Sequence, residues 1–161
     1  MPQGDVVFQD RFPGHGSLVP ADGRLFVIAD VGGPQQVRVF DLLDGTPLGT
    51  LPAPAVSAVG KVVHLRGRAP DTVLYQVTAY LEPAQWTRWE PAGAAGAAAV
   101  PAAGRTVKTA LTREYPIDFS DAEVVRDFAT SVDGTRIPMS IIRRKGTPLD
   151  GQNPLRLTGY G

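Results

Sequence analysis

Residues 125–146 read VRDFATSVDGTRIPMSIIRRKG, and this stretch lies within two alternating apolar and polar segments joined by a tight turn. The first segment runs from Glu123 to Thr130 and the second from Thr135 to Arg144. Alternation with a period of two is typical of a half-buried β-strand. The Asp133-Gly134 dipeptide between the segments favours a hairpin, because glycine accepts the positive φ that such a turn requires. The sequence therefore predicts an antiparallel pair of strands here.

Similar alternation recurs upstream at a regular spacing. The segment beginning at Leu25 is repeated by one beginning at Val73, and the segment beginning at Gln36 is repeated by one beginning at Gln85. Further strands are predicted between them, at 46–51, 55–59 and 62–65. A repeat of about 45–50 residues with four strands is typical of a β-propeller blade. Since a propeller needs about 4–8 blades, two such units predict a piece of a larger protein.

The alternation also predicts which side chains point inward. Val37, Val39 and Leu42 are predicted to face the core. Trp86 and Trp89 are separated by two residues and therefore face opposite sides of one strand. We expect Trp86 in the core and Trp89 at the surface or against a neighbouring blade.

A low-complexity segment follows, from Ala92 to Arg105. Its alanines favour a helix, but Gly93, Gly96 and Pro101 interrupt it, at about 1 kcal/mol for each glycine and about 3 kcal/mol for the proline. The sequence predicts a flexible linker or surface loop there.

Composition excludes several classes of function. Sixteen Lys and Arg balance sixteen Asp and Glu, so a formal net charge of zero gives no long-range attraction to nucleic acid or an acidic membrane. No cysteine is present, and the two histidines are His15 and His64, which excludes disulfides, thiol catalysis and a three-histidine zinc site. No apolar run approaches the ~18 residues of a membrane span. We expect no cofactor, no metal, no nucleic acid and no membrane partner.

The remaining composition concerns fold and compartment. Eighteen glycines and fifteen prolines favour short strands and turns over long helices. No signal peptide is visible after Met1, so the sequence predicts a cytoplasmic protein, or a periplasmic one if a signal lies upstream of this methionine.

The hairpin and the residues that follow it resemble a known family. Residues 125–146, Leu149–Pro154 and the closing Gly159-Tyr160-Gly161 are very similar to the segment that opens the catalytic domain of prolyl oligopeptidases. The resemblance implies a mostly β chain, with the last two blades of a β-propeller followed by the first strands of an α/β-hydrolase domain. It implies three parts, which are a partial propeller of about two blades (1–91), a low-complexity linker and return segment (92–122), and the N-terminal strands of the peptidase domain (123–161).

The same resemblance assigns a role to Tyr160. The family carries a tyrosine in the turn after the third hydrolase strand, and its hydroxyl helps to form the oxyanion hole. Tyr160 occupies the matching position, and Leu155–Thr158 corresponds to the strand. One such donor is worth about 3–4 kcal/mol of the barrier. Two residues depart from the family pattern: Arg156 replaces an apolar residue in a strand expected to be buried on both faces, and Thr158 replaces a tyrosine.

No nucleophile, base or acid of a Ser-His-Asp triad is recognised in the chain. His15 lies near Ser17 in a predicted loop, and His64 is predicted to be a partly exposed strand residue. The resemblance implies that the triad lies beyond Gly161. None of the serines lies in the Gly-x-Ser-x-Gly elbow that exposes a catalytic hydroxyl; they are Ser17, Ser57, Ser120, Ser131 and Ser140.

Two polar clusters are predicted to be structural. The acidic cluster lacks the glycine and the terminal glutamate of a calcium loop, so we expect a solvated turn at Asp118, Asp121 and Glu123. The basic run Arg143-Arg144-Lys145 is expected to be a solvated hairpin end.

The resemblance therefore implies a fragment of a prolyl oligopeptidase-type serine endopeptidase, which cleaves short proline-containing peptides after proline by acyl transfer. The 161-residue chain alone is predicted to be inactive, with the separate C-terminal peptidase part as a further partner. Its end in a glycine-rich turn is expected to reflect truncation. Two alternatives stay open: a non-catalytic β-rich module that binds partners through exposed strand edges, and a truncated gene remnant.

Overall fold

The computed structural model describes residues 18–67, 71–92 and 104–159. These residues form ten strands, paired antiparallel, and no helix. Consequently, no membrane-spanning helix is found among them. The chain divides into two compact units, Met1–Pro116 and Ile117–Gly161. The strands are β1 Leu18–Pro20, β2 Arg24–Asp30, β3 Gln35–Asp41, β4 Pro47–Thr50, β5 Ser57–His64, β6 Val73–Ala79, β7 Gln85–Glu90, β8 Arg105–Thr112, β9 Ala122–Thr130 and β10 Arg136–Arg144.

The first unit holds two four-stranded sheets whose strands follow chain order. β1–β4 form the first sheet and β5–β8 the second. Leu25 and Val73, which begin equivalent segments of the sequence repeat, both lie in the second strand of their sheet. The predicted repeat of four strands is confirmed.

One strand of the second sheet lies where no strand was predicted. Residues 92–122 were assigned to a linker and return segment, whereas β8 pairs with β7 over part of this range. Val107, Thr109 and Leu111 alternate along β8 as in a strand, but the segment directly follows the low-complexity residues and is grouped with them in the predicted linker. The predicted flexible stretch containing Gly93, Gly96 and Pro101 lies outside the described residues.

One hydrophobic core joins the two sheets. The rings of Phe26 on β2 and Trp89 on β7 meet edge to face, with centroids 5.8 Å apart and planes at 70°. Both side chains are fully buried. Such an aromatic pair adds about 0.5–1.5 kcal/mol beyond the burial of its area. The core consists of Ala21, Phe26, Val37, Val39, Leu51, Val59, Val62, Val73, Tyr75, Val77 and Trp89.

The predicted orientation of the two tryptophans is wrong in part. Trp89 pairs in register with Val73, so it shares the buried face of the second sheet and contacts the first sheet. It is therefore an inter-sheet residue and not a surface one. Trp86 lies on the opposite face and is half-buried instead of in the core.

Among the inward positions predicted on β3, two are confirmed and one is wrong. Val37 and Val39 are 2% and 0% exposed. Leu42 is 40% exposed, because β3 ends at Asp41 and the alternation does not continue into the turn.

The second unit contains the predicted hairpin, which is confirmed. β9 and β10 pair without a break from Arg144 opposite Ala122 to Arg136 opposite Thr130. Gly134 in the connecting turn has a φ of 85°, a conformation in which a Cβ would be strained.

The predicted third strand at Leu155–Thr158 is not formed. These residues are irregular and exposed, with Leu155 and Leu157 85% and 83% accessible. Among the described residues no strand pairs with them, so they are not part of a sheet. Arg156 is correspondingly exposed, and not within a sheet buried on both faces.

Candidate functional site

The predicted oxyanion donor Tyr160 lies outside the described residues. Gly159, directly before it, is exposed and irregular. The structure therefore describes the chain only up to the residue before Tyr160, and the role of Tyr160 as an oxyanion donor stays a prediction. His15 and Ser17 also lie outside the described residues.

His64 and Ser57 occupy opposite ends of β5. At about 3.3 Å of rise per residue they are separated by roughly 23 Å, far beyond the reach of a hydrogen bond. The Ser57 hydroxyl donates to the Pro54 carbonyl at 2.8 Å. His64 Nε2 lies 3.5 Å from the Asp22 carboxylate. Neither residue has the geometry of a nucleophile held by a base.

The acidic cluster at the start of the second unit is used in local contacts. The Asp118 carboxylate accepts the Ser120 N–H at 2.8 Å and the Ser120 hydroxyl at 3.0 Å. The Ser120 backbone N–H, followed by its hydroxyl, lowers the pKa of Asp118. Asp121 and Glu123 instead pair with Arg144 and Arg143. Among the described residues no group of three or more His, Asp and Glu could hold a metal ion.

The basic run at the end of β10 contacts the start of β9. Arg143 Nε lies 2.7 Å from a Glu123 oxygen, and Arg144 Nε lies 3.3 Å from an Asp121 oxygen. Lys145 Nζ donates to the Ser120 carbonyl at 2.7 Å. The basic run therefore holds the end of β10 against the start of β9.

A buried ion pair links the two sheets. Arg24 on β2 contacts Asp71, which precedes β6, and their side chains are 4% and 0% exposed. The other Asp71 oxygen accepts the Gly23 N–H at 2.7 Å. The Arg24 guanidinium carbon lies 5.7 Å from the centre of the Trp89 ring, within cation–π range.

The same aspartate fixes the turn that carries it. Asp71 has a φ of 60°, in the left-handed region that few residues without a special contact adopt. Its N–H donates to the Asp22 carboxylate at 3.3 Å, and Asp22 also faces His64. Asp71 thus supports both the turn and the junction of the sheets, which is a structural role and not a chemical one.

An open cleft of about 470 Å³ lies beside the second sheet. Its apolar side includes Tyr75 and Val77 of β6, with Pro52 and Pro54 of the segment that joins the sheets. The Tyr75 hydroxyl donates to the Pro52 carbonyl at 2.8 Å. Burial raises the pKa of Tyr75 to about 12.

The opposite side of the cleft is polar. Thr87 on β7 and Lys108 on β8 are register partners, and Thr106 lies two positions before Lys108 on the same face. Gln85 is anchored by its Nε2, which donates to the carbonyls of Trp86 and Thr109 at 2.7 and 3.1 Å. Glu82 lines the cleft from the turn between β6 and β7. A cation, hydroxyls and an apolar wall suit reversible binding of a ligand.

Sequence reasoning missed both the ion pair and the cleft. Arg24 and Asp71 are 47 residues apart, so only the packing of one sheet on the other brings them together. The repeat itself was a usable signal, because Gly23 and Asp71 are equivalent positions 48 residues apart. No comparable signal marks the cleft, since its residues come from four separated segments.

Comparisons with known proteins place this fold among relatives. No protein-family model matches the chain. A prolyl endopeptidase of Elizabethkingia miricola is 39% identical over 56 residues, which are 34% of this chain and 8% of that enzyme. Among solved structures, a prolyl endopeptidase matches 83% of this chain and 18% of its own length, with a TM-score of 0.56 and 23% identity. Prolyl oligopeptidase B from Galerina marginata matches 86% of this chain and 19% of its own length, with a TM-score of 0.61 and 19% identity.

The two structural matches establish a likeness of fold, since the described residues form antiparallel sheets and the neighbours are β-propeller-like. The chain spans less than a fifth of the length of each relative described above. Sequence and fold together support a relationship to the prolyl oligopeptidase family, whose members here are prolyl endopeptidases, a class of serine peptidase.

Proposed function

We propose that the chain is a segment of a prolyl oligopeptidase-type serine endopeptidase. In this proposal the two four-stranded sheets are the last two propeller blades, and β9 and β10 open the α/β-hydrolase domain. One observation carries it: two consecutive four-stranded sheets, equivalent in strand order, precede a separate long hairpin in a chain that matches prolyl endopeptidases in sequence and fold.

The complete enzyme hydrolyses the peptide bond after proline in short peptides by acyl transfer. A serine oxygen attacks the carbonyl carbon, a histidine accepts the serine proton and passes it to the leaving amine, and water then releases the acyl group. The triad comes from outside the 161 residues. The blades limit access to short chains, a filtering role.

Tyr160 is the one residue of this chain assigned to the chemistry. A phenol after a strand of the hydrolase sheet donates a hydrogen bond to the oxygen that becomes negative in the tetrahedral intermediate. The donor acts on charge that develops in the transition state, so its loss lowers kcat more than it raises KM.

The chain by itself is inactive in this proposal. Of its serines and histidines, the described Ser57 and His64 stand roughly 23 Å apart on β5. The remaining serines lack the Gly-x-Ser-x-Gly elbow. The prediction is tested with the purified 161-residue chain and a fluorogenic peptide that carries proline at the cleavage position. We expect no release of fluorophore; hydrolysis that a serine-directed inhibitor abolishes would overturn this part.

The role of Tyr160 is tested in the complete enzyme that contains this segment. Tyr160→Phe is expected to lower kcat by about 10²–10³-fold with KM little changed. Tyr80→Phe is the matched control, because Tyr80 is 55% exposed and lies in the other unit. Equal activity of the Tyr160→Phe variant and the unmodified enzyme would remove the tyrosine from the mechanism.

A further inference from the structure

The cleft lies on the same face of the second sheet as the hydrophobic core, but its lining includes polar side chains. Val73 and Trp89 are register partners at the buried end of this face, and both are fully buried. Farther along the same strands Tyr75 pairs with Thr87, and Thr87 pairs with Lys108. The face thus changes from a closed apolar core to an open cleft with hydroxyls and a cation. Core packing accounts for the first part and leaves the second unexplained.

Three hydrogen-bond donors that line the cleft have no hydrogen-bond or ion-pair partner among the described residues. Lys108 is exposed, and among the described residues its ammonium forms no ion pair or side-chain hydrogen bond. Over the same part of the chain, the hydroxyls of Thr87 and Thr106 also make no hydrogen bond. The three side chains share one face of β7 and β8. One ammonium with two hydroxyls matches the charge and the acceptor atoms of a carboxylate.

The rest of the lining restricts what else the ligand contains. Three prolines (Pro52, Pro54 and Pro83) provide accessible apolar surface, and the buried side chains of Tyr75 and Val77 lie behind them. Glu82 lies at the turn end of the cleft, so it repels a second anionic group and accepts a cationic one. A volume of about 470 Å³ is in the range of sites for small organic ligands. The chemistry is therefore that of a small, apolar molecule with one carboxylate.

We infer that the cleft binds the free carboxyl end of a short apolar peptide. The terminal carboxylate contacts the Lys108 ammonium and the hydroxyls of Thr87 and Thr106. The apolar side chains lie against the prolines. This inference is independent of the proposed peptidase function, because the cleft contains none of the residues assigned to catalysis.

The inference is tested by calorimetric titration of the full 161-residue chain with N-acetyl-Ala-Leu-Val, once as the free acid and once as the C-terminal amide. We expect saturable binding of the acid, at least about tenfold tighter than binding of the amide. Lys108→Met is expected to weaken binding of the acid by at least about tenfold, and Thr87→Val by a smaller factor.

Lys61→Met is the matched control. Lys61 is exposed on β5 and pairs with Gln76, whose side chain points to the face opposite Tyr75. It should leave the affinity unchanged, and circular dichroism spectra should show that all variants stay folded. Three results would overturn the inference: no saturable binding up to about 5 mM, equal binding of acid and amide, or equal weakening by Lys61→Met and Lys108→Met.

Discussion

Arg24 and Asp71 form an ion pair between the two sheets, with side chains 4% and 0% exposed. The Asp71 carboxylate also accepts the Gly23 N–H, so it binds the first sheet at two points. Two charges removed from water together are tolerated because each compensates the other. Removal of one partner leaves an uncompensated buried charge, which is far more costly than loss of a surface pair.

Asp71→Asn is therefore expected to lower the free energy of unfolding by about 3–5 kcal/mol. Asparagine tolerates the left-handed backbone of this position, so the loss reports the charge and not strain. Urea unfolding followed by circular dichroism measures it. Glu90→Gln is the control, because the Arg88–Glu90 pair is 27% exposed on each side and should contribute less than about 1 kcal/mol. Similar losses in both variants would contradict the assigned role of the buried pair.

Gly104 lies directly against the indole of Trp89. A Cβ at this position would come within 2.7 Å of Trp89 Cζ2, and closer still to Nε1 and Cε2. Because Trp89 is fixed within the core, Gly104→Ala is expected to cost about 1–3 kcal/mol of stability. Gly159→Ala should be neutral, since nothing lies within 4 Å of its added Cβ. Thermal unfolding of both variants checks the prediction, and an unchanged melting temperature for Gly104→Ala would refute it.

The two tryptophans should differ in solvent access and in their contribution to the free energy of unfolding. Trp86→Phe leaves the buried Trp89, whose fluorescence should be blue-shifted and weakly quenched by acrylamide. Trp89→Phe leaves the half-buried Trp86, and quenching should rise. Trp89→Ala is expected to cost about 3–5 kcal/mol, and Trp86→Ala clearly less. The reverse order would restore the sequence-based assignment of Trp86 to the core.

Tyr75 should make stability fall at alkaline pH. Its pKa is about 12 in the folded chain, above the ordinary value of 10.0, because burial disfavours the phenolate. The contribution of the protonated Tyr75 to the free energy of unfolding is fully present below pH 10. It is lost as pH rises toward 12, because the phenol releases its proton at a lower pH in the unfolded chain than in the folded one. Unfolding free energies measured across this window should fall less steeply for Tyr75→Phe than for the unmodified chain. Parallel slopes would show that Tyr75 is not the titrating group.

Local pattern was sufficient to predict most strands. Alternation and an Asp-Gly turn identify β9 and β10 to within one residue, because the hairpin depends on contacts near in sequence. β8 is not predicted, although Val107, Thr109 and Leu111 alternate as in a strand, because the segment is grouped with the low-complexity residues before it. Leu155–Thr158 shows the converse, since its composition favours a strand but no described strand pairs with it.

The candidate site was harder to predict than the fold. Lys108 lies in a segment that was assigned to a linker, and its proximity to Thr87 depends on the register between β7 and β8. The prediction places Trp86 in the core, which is wrong, because alternation shows that two faces differ, not which one is covered by a neighbouring sheet. Register and sheet packing are long-range properties, which is why the Arg24–Asp71 contact is also absent from local pattern.

The contact between Phe26 and Trp89 determines when the hydrophobic core can form during synthesis of the chain. The two rings lie on β2 and β7, far apart in the sequence, yet they share one core. At roughly 5–20 residues per second, translation from the first ring to the second leaves the apolar face of the first sheet unfilled for about 3–13 s. During this interval the nascent chain exposes β2 and β3 to other chains or to chaperones. Slower translation of the second repeat should therefore reduce the yield of soluble protein.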